Sequence, residues 1–254
     1  MSPNCKDLTF LIPVHIDSIE RVENILGVCR NILRLDTTIL ICEVNYFNNH
    51  VLEKLVAKKH SISYIFIEDR DPVFHRTHYI NESIKRIKTP FVAIWDADVV
   101  VDNIQITNSL EVLRNNKYEI SFPFDGDFLD VDKIFREQFL KKNDINFLKS
   151  YRTYLKLLYG KSFVGGGMLV NKQRYIDAGL ENERFYGWGP EDLDRFKKWK
   201  HLGYNIHRSE GCMFHLWHPR DENGMFRSTL QRGLCYMNLN NTMHSSKNEL
   251  LQQL

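Results

Sequence analysis

Two aspartates, Asp96 and Asp98, stand one residue apart at the end of the apolar run 91–95. This run of β-forming and small residues predicts a buried strand whose carboxyl end opens into a crevice, the edge at which open α/β sheets bind ligands. Residues two apart on a strand point to the same side. Two carboxylates on one side, beside a phosphate-bearing substrate, would suit a divalent cation, because such cations prefer oxygen ligands.

The Asp-x-Asp spacing by itself is weak evidence, since it occurs five times in a chain with 32 acidic residues. The five pairs are Asp69/Asp71, Asp96/Asp98, Asp125/Asp127, Asp130/Asp132 and Asp192/Asp194. Most such pairs are expected to be solvated surface residues. What distinguishes Asp96 and Asp98 is the apolar strand that precedes them.

A second candidate site lies between residues 163 and 194. Three consecutive glycines, 165–167, interrupt an apolar run, which indicates that a ligand or another backbone comes close. Trp188 stands between two glycines, and Pro190, Glu191 and Asp192 follow. The two acids could be first-turn carboxylates that complement a helix dipole. The aromatic ring beside them could also be a platform for a sugar ring.

The composition is that of an ordinary globular protein of 254 residues, 43% hydrophobic and 26% charged. A net charge of +2 argues against a dedicated nucleic-acid binder. Five scattered cysteines without a C-x-x-C pair predict reduced thiols. We find no signal-peptide pattern and no apolar run of membrane-spanning length, so we expect a soluble, cytoplasmic protein.

Strand and helix patterns alternate through residue 102, which predicts a doubly wound, Rossmann-like α/β half. Strands are predicted at 8–14, 38–44, 62–67 and from residue 91, with helices at 22–33, 51–59 and 75–87. Asp17, three residues before Glu20, is predicted to cap the first helix. The second half is predicted to contain a helix through residue 113, a strand at 119–124, the Gly-rich strand 163–170, helices at 172–180 and from residue 191, a strand near 205–214 and a polar C-terminal segment.

The segment 131–161 is rich in aromatic and basic residues. Its basic residues are Lys133, Arg136, Lys141, Lys142, Lys149, Arg152, Lys156 and Lys161. They could lie on one or two amphipathic helices as ordinary solvated side chains. They could also form a peripheral membrane or acceptor-binding surface.

Three motifs in order resemble those of the β-1,4-galactosyltransferase and chondroitin-polymerase-like glycosyltransferases of the GT-A fold. The family's G-G strand, K-Q helix and W-G-W-G-x-E-D-D pattern resembles residues 164–194. Its D-x-D resembles Asp96/Asp98, and its metal-binding segment ending in H-x-R-D resembles His215-Leu216-Trp217-His218-Pro219-Arg220-Asp221. The resemblance covers nearly the whole chain, beginning with the first strand at 11–14.

The resemblance implies a single GT-A domain, residues 1–254, with a nucleotide-sugar half (1–102) and an acceptor half (103–254) over one continuous, mostly parallel mixed sheet flanked by helices. It implies that Mn²⁺, or Mg²⁺, is held by Asp98 and His218, with His215 at the position of a further ligand. Carboxylate with imidazole is a donor set that suits Mn²⁺. Alternatively, both histidines could simply pack beside the aromatic residues Phe214 and Trp217.

The resemblance also implies a set of residues that contact the nucleotide sugar, or the metal through water in the case of Asp96. These are Pro13, Val14, Asp17, Arg21, Glu43, Arg76, Asn81, Asp96 and Trp188. Arginine suits phosphate through its fork of donors. A partly exposed helix is the alternative interpretation of Arg76 and Asn81.

The activity implied is inverting transfer of a sugar, with galactose or N-acetylgalactosamine favoured, from a UDP-sugar to a glycan or lipid-linked glycan in bacterial surface polysaccharide synthesis. Asp192 would be the general base, and Glu191 would orient it or bind the sugars. The polar segment 221–225 is expected to be a lid that orders when donor binds. Pro190 and Leu193 depart from the family pattern. The alternatives are a sugar-1-phosphate nucleotidyltransferase, whose Gly-rich phosphate loop the chain lacks, and a non-catalytic glycan-binding module.

Overall fold

Strand β1 (Asn4–Val14) lies inside a seven-stranded sheet, and its residues 8–14 are all buried. The computed structural model describes residues 3–220 and 222–252. A continuous apolar run is typical of a strand covered on both faces. The other strands of this sheet are β2 (Asp36–Asn45), β3 (Ile62–Glu68), β4 (Phe91–Trp95), β6 (Ile120–Phe122), β9 (Gly167–Asn171) and β10 (Ile206–Arg208).

The strand order in this sheet is β10-β6-β9-β4-β1-β2-β3. Strand β9 runs antiparallel to β4 and β6, whereas the other neighbours run parallel. The prediction of a mostly parallel mixed sheet flanked by helices is therefore confirmed. Helices α1 (Ile19–Ile32), α2 (Val51–Val56) and α3 (Arg76–Ile84) connect the first four strands. The strand order reverses between β1 and β4, so a ligand crevice is expected at their carboxyl ends.

The large sheet runs through both predicted halves, as expected, and a second sheet of four short strands that the sequence did not predict lies beside it in the fold. Its order is β5-β11-β7-β8, formed by β5 (Val99–Val100), β7 (Phe128–Val131), β8 (Lys156–Leu157) and β11 (Met213–Leu216). Two of these strands have two residues each, too short to leave a periodic pattern in the sequence. The pairing of β5 with β11 places His215 opposite Val99, next to Asp98.

Glycines in left-handed conformations explain why two predicted strands have other bounds. Gly166 has a φ of +86°, so the Gly-rich strand begins only at Gly167. Gly211 has a φ of +107° and separates β10 from β11, which had been predicted as one strand. The first helix is capped by Ser18, whose side chain accepts from the Arg21 amide, so the capping prediction for Asp17 is wrong.

The C-terminal segment, for which only a polar character was predicted, forms two helices. The helices of the second half are α4 (Asn103–Arg114), α5 (Lys133–Lys142), α6 (Ile145–Ser150), α7 (Lys172–Asp177), α8 (Glu191–Leu202), α9 (Thr229–His244) and α10 (Lys247–Gln252). Helix α9 packs on α8 and buries Cys235 and Leu239 against Phe185. Three asparagines and a glycine interrupt its apolar residues, so the helical pattern in the sequence is weak.

The segment 131–161 folds into α5, α6, a short 3₁₀ turn and β8. Arg136 is not a solvated residue of this segment, because it is fully buried. Ile134 and Tyr154 are exposed beside the remaining basic residues. Among the described residues, no helix combines the length and the apolar character needed to cross a bilayer.

If α9 belongs to the folded core, Leu239→Ala should lower the free energy of unfolding by about 2–5 kcal/mol, because it removes a buried side chain. Leu230, 73% exposed on the same helix, is the matched control, and Leu230→Ala should change it by less than about 0.5 kcal/mol. Urea unfolding measures both. Equal, small effects would mean that α9 is not packed as described.

Candidate active site

A cleft of about 520 Å³ opens at the carboxyl ends of β1 and β4, where the strand order reverses. It gathers residues from β1, α1, α3, α8 and β11 and from the turns after β4 and β11. Twelve of the predicted site residues line it: Pro13, Val14, Asp17, Arg21, Arg76, Asp96, Asp98, Trp188, Glu191, Asp192, His215 and His218.

Glu43 and Asn81 are not among the residues that line the cleft. Glu43 is buried at the end of β2, where its Oε2 accepts a hydrogen bond from the Tyr64 hydroxyl at 2.8 Å. Asn81 is buried on α3 and donates to the Glu181 carbonyl at 3.1 Å and to Glu183 at 2.7 Å. Asn81 therefore ties α3 to the loop before α8.

Asp98, His215 and His218 form a compact group of possible metal ligands. One ligand atom from each lies within 4.8 Å of the others. The His218 Nε2 is 3.2 Å from an Asp98 carboxylate oxygen. Asp98 follows β4, whereas the histidines lie at the end of β11, so the second sheet brings the three together.

In each histidine the ring nitrogen Nδ1 already has a polar partner, as is usual for histidines that bind a metal through their other ring nitrogen. The His215 Nδ1 is 3.2 Å from Asp130, and the His218 Nδ1 is 2.6 Å from the Pro219 carbonyl. Because a carbonyl only accepts, His218 donates from Nδ1, and its Nε2 faces Asp98. One carboxylate with two oriented imidazoles is a donor set that fits Mn²⁺. Asp221, the last residue of the motif, lies outside the described residues.

The charges around Asp98 favour its ionised form. Burial alone would raise the pKa of the Asp98 carboxyl, but the hydrogen bond from His218 and the positive charges of His215, His218 and Arg21 outweigh burial and lower that pKa. Burial opposes the charged form of His218, yet its bond to Asp98 raises the His218 pKa. An ionised Asp98 and a protonated His218 therefore stabilise each other at the floor of the cleft, and a divalent cation bound there would displace the His218 proton.

Asp96 does not join this group, although the strand pattern predicted that it would point the same way as Asp98. Strand β4 ends at Trp95, so the two-residue period no longer applies. Asp96 instead accepts a hydrogen bond from Arg76 at 2.5 Å. Burial raises the Asp96 pKa, and the nearby Asp98 and Asp192 raise it further, against the opposing charge of Arg76.

Glu191 and Asp192 begin α8 at the other side of the cleft. Asp192 accepts a hydrogen bond from Arg195, which also binds the buried Glu181 at 2.7 Å. Arg76 lies 3.9 Å from Asp192, so one guanidinium stands between Asp96 and Asp192. Burial, reinforced by the charge of Asp192, raises the pKa of Glu191 to about 8. At neutral pH the pair therefore consists of a largely protonated Glu191 beside Asp192.

The glycine-rich segment leaves room for the Asp192 carboxylate. A Cβ on Gly165 would overlap with the Asp192 carboxylate and the Phe163 ring, and one on Gly167 would lie 2.8 Å from the Trp95 ring. The glycines are closely approached, but by side chains of the chain itself and not by a ligand or another backbone segment, as had been expected.

Aromatic residues that the sequence did not single out complete the walls. Trp188 meets Phe226 edge to face with ring centroids 4.8 Å apart, and Gln231 of α9 donates to the Tyr186 and Trp188 carbonyls. The unpredicted aromatic lining residues are Phe74, Phe128, Tyr159, Phe163, Phe226 and Tyr236. They are scattered along the chain without a shared spacing, so no pattern could have identified them.

Comparison with known proteins relates this cleft to glycosyltransferases. Residues 148–219, which contain the glycines and the Glu191, Asp192, His215 and His218 side chains, match the family model for the N-terminal domain of galactosyltransferase. A 55-residue segment is 36% identical to β-1,4-galactosyltransferase 7 of Mus musculus and of Homo sapiens. It covers 22% of this chain and 17% of each of these relatives, so the similarity is confined to a small part of them.

Two solved structures share the fold at 14% sequence identity. The catalytic domain of Drosophila β1,4-galactosyltransferase 7, in complex with xylobiose, has a TM-score of 0.58 over 96% of this chain and 82% of that one. The mannosyltransferase PcManGT from Pyrobaculum calidifontis, in complex with GDP-Man and Mn²⁺, has a TM-score of 0.56 over 84% of this chain and 58% of that one. The predicted GT-A fold is confirmed.

The raised pKa of Glu191 makes stability depend on pH. Between about pH 4.5 and 8 the folded protein binds a proton that the unfolded chain has released, so stability falls as pH rises through this window. Glu191→Gln removes this dependence, and its free energy of unfolding should rise relative to wild type between pH 5 and pH 8. The exposed Glu82→Gln is the control and should follow wild type. Urea unfolding at several pH values measures this, and parallel curves for Glu191→Gln and wild type would contradict it.

Proposed function

We propose that the protein is a metal-dependent, inverting glycosyltransferase that moves a sugar from a UDP-sugar to a hydroxyl of a glycan acceptor. The observation that carries the proposal is the convergence of a metal-type donor set, the partly buried arginines Arg21 and Arg76 and a first-turn carboxylate in one cleft. The nucleotide-sugar half would be residues 1–102 and the acceptor half 103–254. Asp98 comes from the first half and the histidines come from the second, so the reaction centre would lie between the halves.

The donor diphosphate would lie between the Asp98, His215 and His218 group and the guanidinium of Arg76. Arginine binds phosphate oxygens through two parallel donors, and one Arg76 nitrogen is buried without a hydrogen-bond partner. A bound divalent cation would stabilise the charge that develops on the departing diphosphate. The GDP-Man and Mn²⁺ bound to the mannosyltransferase of the same fold support this assignment.

The acceptor sugar would stack on the aromatic wall formed by Trp188, Phe226 and Tyr236. Aromatic faces bury the apolar face of a sugar ring, while nearby polar groups meet its hydroxyls. The xylobiose bound to the Drosophila enzyme of the same fold supports a saccharide ligand.

Transfer would proceed by a single displacement at the anomeric carbon. The acceptor oxygen forms the new bond to that carbon as the bond to the diphosphate oxygen breaks, and the hydroxyl proton passes to Asp192. Arg195 holds the Asp192 carboxylate in place. Glu191, with its raised pKa, would remain protonated and donate a hydrogen bond to a sugar hydroxyl or to Asp192.

The galactosyltransferase family model favours galactose or N-acetylgalactosamine as the donor sugar. A glycan or lipid-linked glycan of a surface polysaccharide, made in the cytoplasm, is the acceptor we favour. Basic residues of 131–161 with the exposed Ile134 and Tyr154 would suit a peripheral membrane contact. The segment 221–225 would act as a lid over the donor. Within it Asn223 accepts a hydrogen bond from the Phe74 amide at 3.0 Å.

The direct test is release of nucleoside diphosphate from UDP-galactose, UDP-N-acetylgalactosamine, UDP-glucose and GDP-mannose, with and without Mn²⁺ and oligosaccharide acceptors. Mn²⁺-dependent, acceptor-stimulated release of UDP is expected. Release from GDP-mannose alone would replace the proposed donor class. Saccharide binding without release would favour a glycan-binding module, and nucleotide-sugar synthesis from a sugar phosphate would favour a nucleotidyltransferase.

Asp98→Ala should abolish Mn²⁺-dependent binding of UDP while the protein stays folded, because the carboxylate ligand is lost. Titration calorimetry with UDP, with and without Mn²⁺, measures this. Asp125→Ala, an exposed member of another Asp-x-Asp pair, is the control and should bind as wild type does. Unchanged Mn²⁺-dependent affinity in folded Asp98→Ala would rule out the assignment.

Asp192→Asn should reduce turnover about a hundred- to ten-thousandfold, because it keeps the shape of the side chain and removes its basicity. Donor affinity should change little. Asp194→Asn, in the same helical turn but outside the cleft lining, is the matched control and should retain turnover. If Asp192 only complements the helix dipole, the two variants will behave alike, each slightly less stable but active.

A further inference from the structure

A single asparagine holds the backbone between the two candidate metal-binding histidines. Asn24, on α1, is fully buried. Its Nδ2 donates to the Leu216 and Trp217 carbonyls, each at 3.2 Å. These two residues are the whole of the chain between His215 and His218, so the contact fixes the spacing of the two imidazoles.

Arg136 fixes the orientation of this asparagine. Its Nε donates to the Asn24 Oδ1 at 2.7 Å, which leaves the amide nitrogen facing the two carbonyls. The guanidinium is fully buried and is itself held by the Glu20 carbonyl at 3.0 Å and the Glu23 carboxylate at 2.7 Å. A buried arginine whose guanidinium donates hydrogen bonds to several fixed partners is a rigid support.

The remaining polar groups of the same two residues are also satisfied from outside β11. The Leu216 amide donates to the Asp98 carbonyl at 2.7 Å, and the Trp217 amide donates to the Val131 carbonyl at 3.0 Å. Leu216 is the last residue of β11, so the chain leaves the sheet at this point. Asn24 supplies the partner that a further strand would have given.

We infer that Asn24, supported by Arg136, is a positioning residue that presets His215 and His218 for a divalent cation. The inference rests on the proposed function only for the identity of the ion, Mn²⁺. Loss of partners that orient metal ligands costs roughly ten- to a hundredfold in metal affinity. The role differs from that of a metal ligand, because Asn24 contacts the backbone between the histidines and does not line the cleft.

The test compares Mn²⁺ dissociation constants of the full chain by electron paramagnetic resonance in the absence of nucleotide. Asn24→Leu removes both donor bonds. Asn24→Asp keeps the shape and the bond from Arg136 but can no longer donate to the carbonyls. Both should bind Mn²⁺ roughly ten- to a hundredfold more weakly than wild type. Hydrogen exchange of the metal-free variants should also be faster in peptides that cover residues 215–218.

Asn31→Leu is the matched control. Asn31 is buried on the same helix and donates to the Val101 carbonyl at 3.0 Å, away from the histidines. The Asn31→Leu variant should be less stable than wild type but should keep the wild-type Mn²⁺ affinity. The inference would be overturned if Asn24→Asp bound Mn²⁺ as tightly as wild type does, or if Asn31→Leu weakened Mn²⁺ binding as much as the Asn24 variants do. Failure of Asn24→Asp to fold would also overturn it. If wild type itself binds no Mn²⁺, the metal part of the proposed function fails instead, whereas the exchange result still decides the positioning role.

Discussion

Repulsion among acidic side chains is the constraint on which the cleft depends. Asp96, Asp98, Glu191 and Asp192 line one space, and carboxylates brought together out of water resist ionisation. Arg76 separates two of them, 2.5 Å from Asp96 and 3.9 Å from Asp192. The surroundings then shift the pKa values of Asp98 and Glu191 in opposite directions. The pKa of Asp98 is lowered and that of Glu191 is raised, so one stays charged and the other keeps its proton.

This division of charge follows from the connection between the two sheets. The large sheet delivers Asp96 and Asp98 at the point where its strand order reverses, as open α/β sheets do. The small sheet pairs β11 with β5, so His215 lies opposite Val99, the residue after Asp98. Gly165, just before β9, leaves room for the Asp192 carboxylate. Neither sheet alone could bring carboxylate, imidazole and the α8 carboxylate into one cleft.

The sequence predicted the fold and most of the cleft because both leave local patterns. Apolar runs of strand length predicted the Rossmann-like half, and the motifs pointed to Asp98, Asp192 and His218, which all line the cleft. Long-range packing left no such pattern. The two-residue strands, the buried state of Arg136 and the packing of α9 depend on partners more than 50 residues away in most cases. Asp96 diverged from Asp98 because β4 ends with its apolar run at Trp95, so neither aspartate lies on the strand.

In three loops around the cleft, backbone carbonyls accept hydrogen bonds from a side chain that lies far away in the sequence. Loops beyond strand ends have carbonyls that no neighbouring strand can satisfy, and leaving them buried and unpaired is costly. Asn24 holds the chain at Leu216 and Trp217, and Gln231 holds it at Tyr186 and Trp188. Arg208 likewise donates to the carbonyls of residues 162 and 163, just before Gly165, which faces Asp192. Each loop is therefore fixed by one side chain from a distant element. The geometry of the cleft thus depends on residues that do not line it, since a positioned site requires rigid support from its surroundings.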